Sequence, residues 1–128
     1  MRLLVPLHSL VRQLPDYEKY ELGRQLRRSS KSIPANVAEG YGKKRSAKEF
    51  KAYLGNALGS ANETIVHLKI ASQLGYADEA SISELVDGYT IVAKQLYTLI
   101  GSWQSFDNAR QQTNLASRVP APAAISKE

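Results

Sequence analysis

The sequence predicts an all-α fold, an antiparallel up-down four-helix bundle with a short first helix that assembles into a cyclic homo-oligomer. Apolar residues recur at intervals of three and four over most of the 128 residues, and no run shows the alternation of a half-buried strand. Cysteine is absent, which excludes disulfides, thiolate metal sites and cysteine redox chemistry. We therefore expect one helical domain in a reducing, cytoplasmic compartment.

The first two predicted helices are separated by Pro15. A brief stripe of leucines predicts a first helix of about ten residues, with Leu3, Leu7, Leu10 and Leu14 on its buried side. We expect a helix here rather than a signal peptide, and no stretch approaches the ~20 apolar residues that span a bilayer. The second helix is predicted from Asp16, as its N-cap, to Gly40–Gly42. Its apolar side carries Leu22, Leu26, Ser29, Ile33, Val37 and Gly40.

The third helix is predicted from Ser46, with Glu49 in capping-box register, to about Leu74, where Gly75 supplies a left-handed stop. Its core face comprises Phe50, Tyr53, Leu54, Ala57, Ala61, Thr64 and Leu68. A second face is also small or apolar and comprises Ala52, Gly55, Gly59, Val66 and Ile70. Because a glycine inside a helix costs about 1 kcal/mol relative to alanine, Gly55 and Gly59 predict close packing against another backbone, in another copy of the chain.

The fourth helix is predicted from about Ser81 to Phe106, with an apolar period of 3.5 residues. The stripe comprises Ile82, Leu85, Tyr89, Val92, Leu96, Leu99, Trp103 and Phe106. This period favours antiparallel neighbours at shallow crossing angles. We assign residues 1–106 to the bundle and residues 107–128, which are polar and contain Pro-Ala-Pro, to a C-terminal tail that we expect to be mobile. The short first helix cannot cover its long partners, which also favours an oligomer.

Positive charge is concentrated between Arg24 and Lys51. This stretch holds 9 of the 17 Lys and Arg but only 2 of the 12 Asp and Glu. Such a local field attracts polyanions, so we expect the stretch to contact nucleic-acid phosphates, the alternative being a merely solvated helix face. Tyr41 is the one aromatic residue among these cations that is not assigned to a core face, so base stacking and sequence-specific reading are weakly supported and phosphate contact is favoured. The candidate nucleic-acid-binding residues are Arg24, Arg27, Arg28, Lys31, Lys43, Lys44, Arg45, Lys48 and Lys51.

Motifs for catalysis and cofactor binding are absent from the sequence. It contains two histidines and no nucleophile elbow, P-loop or dinucleotide glycine fingerprint. We therefore expect no enzymatic activity, no cofactor and no metal. A structural polar network between helices is expected from Ser32, Asn36, Glu39, Ser60 and Glu63. A metal-dependent site at Glu39, Glu63 and His67 is a weaker alternative.

Several motifs between residues 10 and 100 are specific in type and spacing. They are PxxExYEL at 15–22, QLRRSSKSIPANVAEGYGKK at 25–44, KEF at 48–50, LGSANE at 58–63 and LGY at 74–76. With these motifs the chain resembles the small four-helix-bundle proteins encoded in intervening sequences of bacterial 23S ribosomal RNA genes. The motif residues of that family correspond here to Arg27, Arg28, Ser32, Ile33, Asn36, Ala38, Glu39, Gly40, Gly59, Ser60 and Glu63.

The resemblance implies a ring-like homopentamer of antiparallel bundles with no established enzymatic activity. The related accessory variability determinant proteins of diversity-generating retroelements share this assembly, and they imply nucleic acid and a reverse transcriptase as partners. The chain departs from the family pattern at Ser30, where alanine is usual, and in its shorter first helix. The alternative function is a protein-interaction scaffold for a polymerase or reverse transcriptase without direct nucleic-acid contact. No membrane partner is expected.

Overall fold

The computed structural model describes residues 2–118, and the side chains of residues 2–103. Its helices are α1 (Leu4–Arg12), α2 (Asp16–Lys19), α3 (Leu22–Gly42), α4 (Ala47–Gln73) and α5 (Glu79–Arg118). Because α2 is a single turn, the bundle is built by α1, α3, α4 and α5, and α1 is much the shortest. The predicted all-α four-helix fold with a short first helix is confirmed. Within the described residues, no helix is both long and apolar enough to cross a membrane.

The central helix of the bundle is α4. It packs along both α3 and α5, whereas α1 lies against α3 and α5 and contacts each of them less extensively. Glycines mark the places where α1 comes close: a Cβ on Gly23 would lie 3.1 Å from Val11 Cγ1, and a Cβ on Gly88 would meet Leu3. The short α1 is thus held at the end of the bundle where α3 and α5 begin.

The core consists of the predicted apolar faces. Its fully buried members include Leu7, Leu26, Leu54, Leu68 and Tyr89, one or more from each bundle helix. The predicted stripe of α5 packs on the core as far as Trp103, with the exception of Leu99, which is 40% exposed. Phe106, the last member of that stripe, lies outside the residues whose side chains are described.

The helix boundaries agree with the sequence prediction at α4 and differ at the second predicted helix. Ser46 caps α4 by accepting a hydrogen bond from the Glu49 backbone N–H at 3.2 Å, and Gly75 follows the helix with φ +68°. Asp16 does not cap a helix as predicted. The N-cap of α2 is Pro15, and no side chain caps that turn.

The second predicted helix is interrupted between α2 and α3. No proline or glycine lies at the break, so the cause is tertiary packing. The Tyr76 hydroxyl donates to Glu18 at 2.8 Å, and Arg27 donates to the Lys19 carbonyl at 3.4 Å. These contacts hold the single turn of α2 against the rest of the bundle while Gly23 admits α1 beside the first turn of α3.

The backbone of α5 continues helically to Arg118, past the predicted bundle boundary at residue 106. Residues 119–128 of the predicted tail lie outside the described residues. The division of the chain into residues 1–106 and 107–128 therefore stays a prediction.

Candidate nucleic-acid interface

The nine basic candidate residues lie in two groups. The helix basic group, on the first half of α3, comprises Arg24, Arg27, Arg28 and Lys31. The turn basic group, in the α3–α4 turn and the first turns of α4, comprises Lys43, Lys44, Arg45, Lys48 and Lys51. The twelve residues from Lys31 to Lys43 correspond to about 18 Å along a helix at 1.5 Å per residue. A stretch that is continuous in sequence thus presents charge in two separate places.

The helix basic group is partly engaged by the fold itself. Arg27 is half-buried and reaches the Lys19 carbonyl. Arg28 forms an ion pair with Glu63 of α4 and donates to the Gln25 side chain at 2.8 Å. Arg28 is exposed, but its long side chain reaches across the α3–α4 boundary to this carboxylate. Arg24 and Lys31 are exposed and form no ion pair with the side chains that the structure describes.

The turn basic group is free of acidic partners. Four of its members are exposed and Lys51 is half-buried. None of the five forms an ion pair among residues 2–103. In the first half of α3, by contrast, Arg27 and Arg28 are engaged by oxygen atoms of the fold.

Tyr41 lies at the edge of the turn basic group, in the last turn of α3. The Lys44 ammonium sits 5.0 Å from the centroid of the Tyr41 ring. On its inner side the ring contacts Phe50, with centroids 6.1 Å apart. A Cβ on the buried Gly40 would lie 3.0 Å from Tyr53 Cβ, so the missing side chain lets α3 approach α4 and brings Tyr41 to Phe50.

Of the residues expected to form a polar network, Ser32, Asn36 and Ser60 are joined by hydrogen bonds, and Glu63 is bonded separately. The Ser60 hydroxyl donates to Ser32 Oγ at 2.9 Å, and the Asn36 amide donates to the Ser32 hydroxyl at 2.9 Å and to its carbonyl at 2.8 Å. Glu63 accepts from Arg28 and lies 3.3 Å from His67 Nε2. Glu39 is exposed and takes no part in these bonds.

A second pair of hydroxyls, Ser29 and Thr64, was not assigned to this network from the sequence. Their oxygens are 2.8 Å apart and fully buried, and Thr64 donates to the Ser60 carbonyl. A signal was available, since both residues lie on predicted core faces, where a hydroxyl needs a partner. Together the two sets of bonds fix the register of α3 on α4.

Metal binding at Glu39, Glu63 and His67 finds no support in the geometry. Among the side chains of residues 2–103, no three His, Asp or Glu come together as a metal site would require. Glu63 is already paired with Arg28, and Glu39 lies elsewhere on the outer surface of α3.

The second apolar face of α4 lies on the outside of the protein. No atom of the described part of the chain comes within 4 Å of a Cβ built on Gly55 or Gly59. Val66 and Ile70 on the same face are exposed. The close-packing partner predicted for the two glycines is therefore not another helix of the same protomer.

These features define a class: an all-helical four-helix bundle with a basic turn at one end. The family model of the 23S rRNA-intervening sequence proteins matches residues 1–98, and the chain belongs to this family. The resemblance inferred from the sequence motifs is thus confirmed. A search of curated proteins found no match to the chain.

Proposed function

We propose that this protein is a non-enzymatic, cytoplasmic homo-oligomer that binds the phosphate backbone of RNA or DNA through its turn basic group. The observation that carries this proposal is the set of five cations at one end of the bundle without an ion pair among the described side chains. When unpaired lysine and arginine side chains bind phosphates, they displace the counterions condensed on the nucleic acid. The release of these counterions drives sequence-independent association.

The helix basic group has a divided role in this proposal. Arg24 and Lys31 are exposed and add phosphate contacts along α3. Arg27 and Arg28 contribute less to nucleic-acid binding, because forming a phosphate contact would require them to leave the Lys19 carbonyl and Glu63.

Oligomer formation is supported by the apolar residues that the protomer leaves uncovered. On α4 these are Val66 and Ile70, beside Gly55 and Gly59. Between α4 and α5 lies an open cavity of about 520 Å³, lined by residues that include Leu58, Ile65 and Tyr97. Burying such surface against further copies is the usual solution, and cyclic symmetry is the usual arrangement. The homopentamer that the family resemblance implies would present five turn basic groups.

A protein-interaction scaffold is the second candidate function. It is favoured by the exposed apolar side of α5, where Ile91 and Leu99 line an open cavity of about 570 Å³. A polymerase or reverse transcriptase bound there would not need nucleic acid as a bridge. Pull-down with and without nuclease treatment separates the two functions, since a direct protein partner is retained after digestion.

The test of nucleic-acid binding is the salt dependence of the dissociation constant, measured by fluorescence anisotropy with a labelled RNA duplex. If all five turn cations contact phosphates, the logarithm of the association constant, which is the inverse of the dissociation constant, falls against log salt with a slope of about −4.5 per protomer, from about −0.9 per phosphate. A slope near zero would show that phosphate contact does not drive binding.

A charge-matched pair of variants locates the site. The first replaces the turn basic group by glutamine, and the second replaces five basic residues outside the stretch, Arg2, Arg12, Lys19, Lys69 and Lys94. Both lower the net charge by the same amount. We expect the first to lose most of its affinity and the second to retain it within about threefold. Equal losses would mean that net charge alone, rather than the turn, attracts the ligand.

A further inference from the structure

An exposed tyrosine within the turn basic group is the feature that neither the family nor the charge explains. Tyr41 is 62% exposed, although its inner edge rests on Phe50, whose ring packs on Trp103 at 4.7 Å between centroids. The ring is thus anchored to the bundle on one side and open to solvent on the other. Gly40 fixes this position by letting the end of α3 close on α4.

One cation of the turn basic group lies at the ring. Lys44 lies over the ring, with its ammonium 5.0 Å from the centroid. Lys44 is itself exposed, and its side chain can move away without breaking an ion pair. A flat aromatic surface flanked by mobile cations is the arrangement with which proteins stack the bases of single-stranded nucleic acid, since every base has a π face and every nucleotide a phosphate.

Tyr20 provides an internal comparison. It is equally open, at 74% exposure, and lines an open cavity of about 660 Å³ together with Arg24. Glu18 and Glu21 line the same cavity. Their carboxylates repel phosphate, so this exposed tyrosine is not placed for a nucleotide. The difference between the two tyrosines is the sign of the charge around them.

We propose that Tyr41 stacks an unpaired base while the turn basic group holds the neighbouring phosphates, so that the preferred ligand is single-stranded or looped nucleic acid rather than continuous duplex. This inference rests on the proposed function. In a duplex the bases are stacked on one another and their faces are closed to a side chain at the surface. The phosphate contacts serve both kinds of ligand, whereas the Tyr41 contact serves the unpaired one alone.

The test compares a labelled oligouridylate of about 12 nucleotides with an RNA duplex of the same length, using fluorescence anisotropy at fixed salt. Tyr41→Leu removes the ring but keeps an apolar side chain, and Tyr41→Phe keeps the ring. We expect Tyr41→Leu to weaken oligouridylate binding about tenfold, the effect of losing one stacked base, and to change duplex binding by less than about twofold. Tyr41→Phe should bind both ligands as the unaltered protein does.

Tyr20→Leu is the matched control, and we expect it to leave both affinities unchanged. Circular dichroism and thermal melting of each variant establish that the fold is retained. As a second readout that does not depend on a leucine variant, photocrosslinking of the unaltered protein to oligouridylate carrying 5-iodouridine should modify Tyr41, located by mass spectrometry.

The outcomes separate this inference from the function on which it rests. Three results would overturn base stacking and leave phosphate binding in place. Tyr41→Leu could weaken binding of both ligands equally, it could change neither affinity, or the crosslinks could form at residues other than Tyr41. Absence of binding by the unaltered protein to either RNA at low salt would overturn both proposals. The inference is supported if Tyr41→Leu loses oligouridylate binding but keeps duplex binding, and Tyr41→Phe keeps both.

Discussion

The two basic groups of this protein are close in sequence but differ in their surroundings after folding. In the helix basic group, Arg27 reaches a backbone carbonyl and Arg28 pairs with Glu63 across the α3–α4 boundary. In the turn basic group, no cation is paired with a carboxylate among the described residues, and Lys44 rests on an exposed tyrosine. The first group therefore belongs in part to the packing of α3, and the second belongs to the surface.

This difference shows that charge density along a sequence does not by itself locate a binding surface. Both groups contribute to the same excess of Lys and Arg. What separates them is whether an acidic or carbonyl oxygen lies within reach after folding. An ion pair that is half-exposed contributes little to stability, at most about 1 kcal/mol, but it is enough to lower the field available to a phosphate.

The largest expected effect is on RNA affinity, when a variant of the turn basic group is compared with a variant of the helix basic group. We compare Lys43, Lys44 and Arg45 changed together to glutamine with Arg24, Arg28 and Lys31 changed together to glutamine. Each variant loses three positive charges. The turn variant should bind an RNA duplex about 100-fold more weakly at low salt, since exposed phosphate contacts of about 1 kcal/mol each are lost, and the helix variant less than about tenfold.

For the free energy of unfolding, the helix variant should show the larger loss and the turn variant the smaller one. The turn variant is expected to unfold at an unchanged denaturant concentration, whereas the helix variant should lose about 0.5–1 kcal/mol because Glu63 is left without Arg28. Urea denaturation followed by circular dichroism measures this. If both triple variants lost affinity equally and neither lost stability, the distinction between the two groups would be wrong.

The four helices of the bundle could be predicted because each buries one face at regular helical spacing. The same reasoning gave the Ser46 cap and the Gly75 stop, which depend on local geometry alone. It did not give the break between α2 and α3, because residues 16–22 contain no helix breaker. The break arises from contacts between residues distant in sequence, such as Tyr76 with Glu18.

The candidate site shows the same limit. Helical spacing placed the basic residues on α3 and in the turn, but it could not show that Arg28 reaches Glu63, 35 residues away in sequence. Nor could it show that Gly40 faces Tyr53 closely whereas Gly59 faces open space. Both distinctions depend on the way in which α3 is set against α4, which is a property of the packed pair.

Those two glycines provide the next prediction. Gly40→Ala places a methyl group 3.0 Å from Tyr53 Cβ, so α3 must shift from α4, and we expect the free energy of unfolding to fall by about 1 kcal/mol. Gly59→Ala meets nothing within 4 Å in the protomer and should raise the helix stability of α4 by up to about 1 kcal/mol. Urea denaturation of the two variants tests the opposite signs.

The same pair of variants sharpens the comparison between the inner and outer surfaces of α4. If Gly59 packs against another copy, Gly59→Ala should shift the oligomer towards smaller species in light scattering at unchanged protein concentration. Gly40→Ala should leave the subunit number unchanged and should weaken oligouridylate binding, because it displaces Tyr41. An unaltered subunit number in Gly59→Ala and in the bulkier Gly59→Val would show that this face of α4 is not an interface.

The smallest effect on RNA affinity is expected from a change in the buried core. Tyr89 is fully buried, its hydroxyl has no hydrogen-bond partner in the described part of the chain, and burial raises its pKa from 10.0 to about 12. Because an unpaired buried hydroxyl is costly, Tyr89→Phe should raise the free energy of unfolding by about 1 kcal/mol at neutral pH. Duplex RNA affinity should not change, since the residue lies away from the surface.

The pH dependence follows from the direction of the Tyr89 shift. Between pH 10 and about 12 the unfolded chain loses the Tyr89 proton and the folded protein keeps it, so the folded state binds more protons and its stability falls as pH rises. Tyr89→Phe lacks this contribution, so its advantage over the unaltered protein should widen across that window in urea denaturation. A constant difference would mean that the hydroxyl reaches solvent. If the difference in stability between Tyr89→Phe and the unaltered protein widens while RNA affinity stays unchanged, core packing sets the stability and the turn basic group sets the affinity. The two basic groups predict the same separation, since the helix basic group contributes to packing and the turn basic group lies on the surface.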